Sequence, residues 1–149
     1  MTVSPITPES AETRPLHLMF VEDDPVDVAA TSRLLGTLGF RGRLTQALTI
    51  PEARTILANG PPPDLVLLDL NMPEESGFDL LEELRQRQSA ATPPILVLTS
   101  SSDRADVERC ARAGVAGYFV KPVEWSAMQR LMRAILDYWS ASLRAPSDD

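Results

Sequence analysis

Short apolar segments alternate with longer amphipathic ones along most of the chain. The apolar segments are rich in branched side chains, and this alternation is typical of parallel strands joined by crossover helices. It predicts an α/β fold with strands at Leu16–Val21, Arg43–Ala47, Leu65–Asp69, Ile95–Thr99 and Gly117–Val120. Polar residues interrupt Arg43–Ala47, which favours an edge position for that strand.

The amphipathic segments predict five helices, at Pro25–Leu38, Pro51–Ala58, Phe78–Arg87, Arg104–Ala113 and Glu124–Ser142. Pro25 and Pro51 suit first helical turns, Asp103 suits an N-cap, and glycines stand where three of the helices would end. Five strand-helix units match a flavodoxin-like doubly wound sheet with strand order 2-1-3-4-5.

The length of the chain limits it to one such domain. Its 149 residues are 44% hydrophobic, enough for one core and too few for two ordinary domains. We expect flexible tails at residues 1–15 and 143–149, a domain at residues 16–142, and no output domain. The chain has no signal-peptide pattern, and no apolar run approaches the roughly twenty residues of a membrane span. These features predict a cytoplasmic protein without a membrane partner.

Charge and cysteine content exclude further classes. The formal net charge of -7 argues against nucleic-acid binding, which depends on clustered Lys and Arg. The single cysteine, Cys110, has neither a disulfide partner nor a metal-ligand spacing, and it is interpreted as a buried small apolar residue.

Polar residues follow the predicted strands at the edge where ligands bind in doubly wound sheets. They are Glu22, Asp23 and Asp24 after the first strand, Asp69 at the end of the third, Thr99 and Ser100 at the fourth, and Lys121 and Pro122 after the fifth. Clustered carboxylates repel one another unless a cation neutralises them, and oxygen ligands suit Mg²⁺.

This set of residues can perform phosphoryl chemistry. Asp69 is the best-placed nucleophile, because a carboxylate beside a divalent cation can attack phosphorus and form an acyl phosphate. Lys121 offers a cation and Thr99 a hydroxyl for the phosphoryl oxygens. We therefore expect a phospho-acceptor rather than an enzyme.

Four segments resemble the response-regulator receiver family in order and spacing: Phe-Val-Glu-Asp-Asp-Pro, Leu-Leu-Asp-Leu-Asn-Met-Pro, Val-Leu-Thr-Ser and Val-Lys-Pro. The resemblance implies Mg²⁺ as the cofactor, a histidine kinase as the phosphoryl source and slow self-hydrolysis of the acyl phosphate. It also implies a role for each matching residue: Asp23 as a direct metal ligand, Glu22 as a ligand through water, Asp69 as the phospho-acceptor, Asn71 as a metal ligand through its backbone carbonyl, Thr99 as the switch hydroxyl, Lys121 as the phosphoryl contact, Tyr118 as the aromatic that turns inward when the threonine moves, and Pro122 as a residue preceded by a cis peptide.

Two features go beyond this general match. The chain is similar to stand-alone receivers paired with bacterial and cyanobacterial phytochrome kinases, in segments such as Val-Glu-Asp-Asp-Pro-Val-Asp.

Asp24 follows the acidic pair, but adjacent side chains of an extended segment point in different directions, so it is the weaker metal candidate.

The last predicted helix has a broad apolar surface. Its apolar residues cover an arc of roughly 160°, whereas an ordinary surface helix needs about 100°. The excess predicts an interface with a partner or with a second copy of the chain, of which a homodimer is the favoured form, with candidates Trp125, Leu136, Tyr138 and Trp139.

Three other functions are conceivable for an α/β domain with an aspartate at the end of a strand. Hydrolases with an Asp nucleophile require a second acid two residues later, where this chain has Asn71. A phosphate-independent binding module is disfavoured because Asp23, Asp69, Thr99 and Lys121 are all present. A phosphorelay intermediate that passes the group on stays open, because the same pocket serves transfer in both directions.

Overall fold

The computed structural model describes residues 15–72, 75–87 and 92–142, so the predicted tails, apart from Pro15, lie outside the described residues. The elements are β1 (His17–Val21), α1 (Pro25–Thr37), β2 (Arg43–Ala47), α2 (Ile50–Asn59), β3 (Leu65–Leu68), α3 (Gly77–Gln86), β4 (Ile95–Thr99), α4 (Arg104–Arg112), β5 (Gly117–Val120) and α5 (Trp125–Ala141). All paired strands are parallel, in the order β2-β1-β3-β4-β5. The predicted flavodoxin-like α/β fold is therefore confirmed.

Burial along the strands follows their position in the sheet. Every residue of β3 and β4 is buried, as expected for central strands covered on both faces. In β2 only Ala47 is buried, and this strand lies at one edge, as its polar residues predicted. The other edge is β5, in which Val120 is 46% exposed.

Alternate strand residues divide the core into two layers, because successive side chains point to opposite faces of the sheet. On one face, Met19, Val21 and Val66 pack with residues of α2, α3 and α4. On the other, Leu18 and Phe20 pack with residues of α1 and α5. Helices α1 and α5 therefore cover the same face.

Four of the helices have an N-cap side chain that stabilises their first turn. Asp24, Thr49, Ser76 and Asp103 each accept a hydrogen bond from a backbone N–H in the first turn of the following helix. Asp24 Oδ1 lies 2.9 Å from Val26 N. Its carboxylate therefore stabilises the start of α1 rather than extending the acidic pair.

The register of the sheet brings the carboxyl ends of β1, β3, β4 and β5 to one edge. Val21 pairs with Leu68, Leu68 with Val97, and Thr99 with Val120. The residues that follow β1, β3 and β5 therefore lie beside Thr99. Within the described ranges, no helix is long and apolar enough to cross a membrane.

Candidate functional site: a carboxylate pocket with one lysine

The side chain of Lys121 lies at the centre of the pocket. Its Nζ donates to Glu22 Oε1, to Asp27 Oδ2 at 2.8 Å and to Asp69 Oδ2 at 3.1 Å. Burial lowers the pKa of Lys121, but contacts with Asp27 and Glu22 and the charge of Asp69 outweigh it and raise the pKa above its usual range. The lysine is therefore a fixed cation that several carboxylates share.

Glu22 is almost completely buried, at 1% exposed. Its Oε2 accepts hydrogen bonds from the backbone N–H groups of Asp23 and Asp24, at 3.1 and 3.4 Å. Burial raises the pKa of Glu22 to about 7, and the charge of Asp69 adds to this effect while Lys121 opposes it. A single lysine therefore does not fully compensate the buried negative charge.

Asp69 lies directly after β3 and is 6% exposed. Its Oδ1 accepts a hydrogen bond from Asn71 N at 3.1 Å, while its Oδ2 contacts Lys121. Gly77, the first residue of α3, donates its backbone N–H to Leu70 O at 3.1 Å and so packs closely against this segment. The Asp69 carboxylate is therefore held by its own loop and by the lysine that follows β5.

Asn71 links the Asp69 loop to Thr99. Its side-chain Nδ2 donates to Thr99 Oγ1 at 3.3 Å, and the Ser101 backbone N–H donates to the same oxygen at 3.5 Å. Thr99 is fully buried. The sequence predicted a role for the backbone carbonyl of Asn71 but not this side-chain contact.

Tyr118 contacts the loop that follows Thr99. Its hydroxyl donates to Ser101 O at 2.8 Å, and burial raises its pKa above the ordinary tyrosine value. A movement of the Thr99–Ser101 segment would therefore change the surroundings of this ring.

The chemistry of the donors fits Mg²⁺, although no three His, Cys, Asp or Glu residues within residues 15–72, 75–87 and 92–142 form a ready-made metal cluster. Glu22 and Asp69 are buried carboxylates that share one ammonium group, and oxygen donors of this kind suit a hard divalent cation. Burial is the main cause of the raised pKa of Glu22, and a bound cation would offset the hydration that the buried carboxylate loses.

Asp27 is the member of the pocket that the sequence analysis missed. It lies in the first turn of α1, and its carboxylate has a lowered pKa because it accepts a hydrogen bond from Lys121. Helical side chains point back towards the N-terminus of the helix. An acid in the first turn of a helix that begins at this edge of the sheet could therefore have been expected to reach Lys121.

Two of the predictions are wrong. The described residues contain no cis peptide bond, so the bond before Pro122 is trans. Trans is the lower-energy form of an X–Pro bond by about 0.5–1 kcal/mol, and Lys121 reaches its carboxylates with the bond in this form. Leu136, a predicted interface residue, is 6% exposed and packs in the core layer beneath α5.

The other three interface candidates do not form one stripe. Trp139 is partly buried against the same core, and its ring centroid lies 4.6 Å from that of Tyr138. Trp125 is 42% exposed beside the guanidinium of Arg33, and Tyr138 is 66% exposed. At about 100° per residue, Trp125 and Tyr138 point roughly 140° apart.

Comparisons with known proteins agree with this geometry. The family model described as "Response regulator receiver domain" matches residues 18–135. The chain is 28% identical over 122 residues to the two-component response regulator ORR11 of Oryza sativa, covering 82% of each protein. Among solved structures, it is similar to the Mn²⁺-bound form of response regulator Rcp1 (27% identity, TM-score 0.77, 89% of this chain and 99% of that one). It is also similar to the phosphorylated cyanobacterial phytochrome response regulator RcpA (25% identity, TM-score 0.77, 87% and 99%).

Proposed function

Because the chain belongs to the response-regulator receiver family of two-component systems, we propose that it accepts a phosphoryl group on Asp69 from a histidine kinase, with Mg²⁺ bound in the pocket. The observation that carries the proposal is the contact of Lys121 Nζ with Asp69 and Glu22. It unites a buried nucleophile, a second buried acid and a cation at one edge of the sheet.

The transfer is a substitution at phosphorus. A carboxylate oxygen of Asp69 forms a new bond to phosphorus while the bond from phosphorus to the kinase histidine nitrogen breaks, and that nitrogen keeps the electron pair. Lys121 then donates to one phosphoryl oxygen and Thr99 to another, which stabilises the added negative charge. With acetyl phosphate as donor, the leaving group is acetate.

Glu22, Asp23, Asp69 and the backbone carbonyl of Asn71 would hold the metal ion. Bound Mg²⁺ supplies positive charge to the transferring phosphoryl oxygens. The Mn²⁺-bound form of the similar protein Rcp1 supports a divalent cation in this pocket.

Thr99 and Tyr118 are proposed as the switch. Phosphorylation adds nearly two negative charges, which attract the Thr99 hydroxyl. Asn71 and Ser101 both contact that hydroxyl, and Tyr118 contacts Ser101, so the movement has a direct route to the ring. In Tyr118→Ala, we expect phosphorylation to persist while the conformational response of the β4–α4 loop is lost.

The kinase is proposed to be a phytochrome, with support from the likeness to RcpA. The homodimer through α5 stays a prediction, with Trp125 and Tyr138 as its most exposed candidates. Sedimentation of the protein with and without a phosphate mimic tests it, and a monomer in both states would contradict it.

The decisive experiment follows the intact mass of the protein during incubation with acetyl phosphate, with and without Mg²⁺. Wild type should gain one phosphoryl group only with Mg²⁺, and Asp69→Asn should gain none while keeping the circular dichroism spectrum of the folded protein. A folded wild type that gains nothing would refute the proposal and favour a phosphate-independent binding module.

A further inference from the structure

Asp27 differs from the other two acids around Lys121. It belongs to α1 rather than to a strand end, and its side chain is 41% exposed, whereas those of Glu22 and Asp69 are 1% and 8% exposed. Its distance to Nζ, 2.8 Å, is nevertheless shorter than the 3.1 Å from Asp69.

The number of donors on the ammonium group explains why this third partner matters. A lysine ammonium has three N–H donors, and the three contacts with Glu22, Asp27 and Asp69 use them all. Under the proposed function, phosphorylation converts the contact with Asp69 into a contact with the phosphoryl group. A bound metal ion would be held in part by Glu22, which leaves Asp27 as the partner that can keep its contact with Lys121 throughout.

We propose that Asp27 is a positioning residue that keeps the Lys121 ammonium at the phospho-acceptor while the other two carboxylates change partners. The inference rests on the proposed function. The four-carbon stem of lysine is flexible, so without this contact the ammonium would spend less time within reach of the phosphoryl oxygens. Asp27 itself makes and breaks no covalent bond.

A surface cavity beside Lys121 contains a residue that can serve as a matched control. Asp27, Lys121 and Glu124 all line it, and Glu124 is an exposed helix cap whose side chain makes no capping hydrogen bond. Glu124→Gln therefore removes one negative charge near the pocket, as Asp27→Asn does, without removing a contact to Lys121.

The test measures phosphoryl gain from acetyl phosphate by intact mass, at saturating Mg²⁺ over a range of donor concentrations. In Asp27→Asn, the maximal rate should fall about fivefold with the half-saturating donor concentration nearly unchanged, because a charge-assisted hydrogen bond is lost. Asp27→Glu keeps the carboxylate and should recover much of the rate. Glu124→Gln should match wild type.

A double-mutant cycle shows whether Asp27 acts through the lysine. In a Lys121→Gln background, Asp27→Asn should have no further effect on the rate. An equal loss in both backgrounds, or equal behaviour of Asp27→Asn and Glu124→Gln, would overturn the inference.

Unfolding in urea without Mg²⁺ supplies a second readout on the same four proteins of the cycle. Coupling between Asp27 and Lys121 in unfolding, combined with a wild-type phosphorylation rate in Asp27→Asn, would reduce the contact to a structural ion pair and overturn the inference alone. A wild type that gains no phosphoryl group would instead refute the proposed function.

Discussion

Replacing Gly77 by alanine should destabilise the protein and displace Asp69, the proposed phospho-acceptor. A Cβ at this position would lie 2.8 Å from Asp69 O and 2.9 Å from Leu70 Cα. Non-bonded carbon atoms normally approach to about 3.5–4.0 Å. The opposing atoms belong to the backbone, so the clash can be relieved only by moving the segment that carries the Asp69 carboxylate.

Overpacking of this kind typically costs about 1–3 kcal/mol. The first residue of a helix gains little from alanine's helix propensity, so we expect Gly77→Ala to lower the free energy of unfolding by about 1–2 kcal/mol. It should also slow phosphoryl gain, because Asp69 would shift relative to Lys121.

Gly36→Ala is the matched control. A Cβ there has open space around it near the end of α1, so the same substitution should raise stability by about 0.5 kcal/mol. Urea unfolding measures both variants, with the midpoint compared at constant slope. If Gly77→Ala unfolds at or above the wild-type midpoint, or if both variants lose stability equally, the reasoning from the backbone clash is wrong.

Three further predictions follow from single side chains. Asp24→Ala removes the cap of α1 and should lose about 1 kcal/mol of stability, whereas Asp24→Ser should retain most of the wild-type stability. The Mg²⁺ affinity measured by calorimetry should differ little between the two variants, and a large loss of affinity in Asp24→Ser would show that Asp24 is a metal ligand. Cys110 is fully buried, and burial raises the pKa of its thiol to about 11, so alkylation followed by mass should be slow in the folded protein and fast in urea; fast native labelling would contradict this packing. Burial raises the pKa of Tyr118, so in Tyr138→Phe the remaining tyrosine should ionise above the ordinary tyrosine pKa in an absorbance titration, and a normal titration would refute this. Because the folded-state pKa is the higher one, the contribution of Tyr118 to stability is complete below the ordinary tyrosine pKa and is lost as pH rises through the folded-state value.

The strands and the strand-end residues could be predicted because each depends on local pattern. A run such as Leu65–Leu68 is apolar throughout, which is typical of a central parallel strand, and the polar residue after it must lie at the carboxyl edge. Once the strand order was predicted, Glu22, Asp69 and Lys121 were expected at one edge.

Asp27 and Leu136 could not be assigned in the same way. Whether Asp27 reaches Lys121 depends on the rotation of α1 against β5, which the packing of buried residues such as Leu34 and Met132 sets. Likewise, the apolar arc of α5 does not tell which residues face the core and which face solvent. The cis bond predicted before Pro122 came from the family resemblance alone, whereas the intrinsic preference of an X–Pro peptide favours trans.

The contacts of Lys121 join parts of the chain that are far apart in sequence. The lysine is 99 residues from Glu22, 94 from Asp27 and 52 from Asp69. It directly follows β5, which is the last strand along the described part of the chain. Contacts of such long range close large loops, which costs chain entropy and slows folding. A chain that has formed β1 to β4 but not β5 would already contain Asp69, the proposed phospho-acceptor, and still lack the cation that contacts it. Under the proposed function, the ability to accept a phosphoryl group therefore depends on the pairing of β5 with the rest of the sheet.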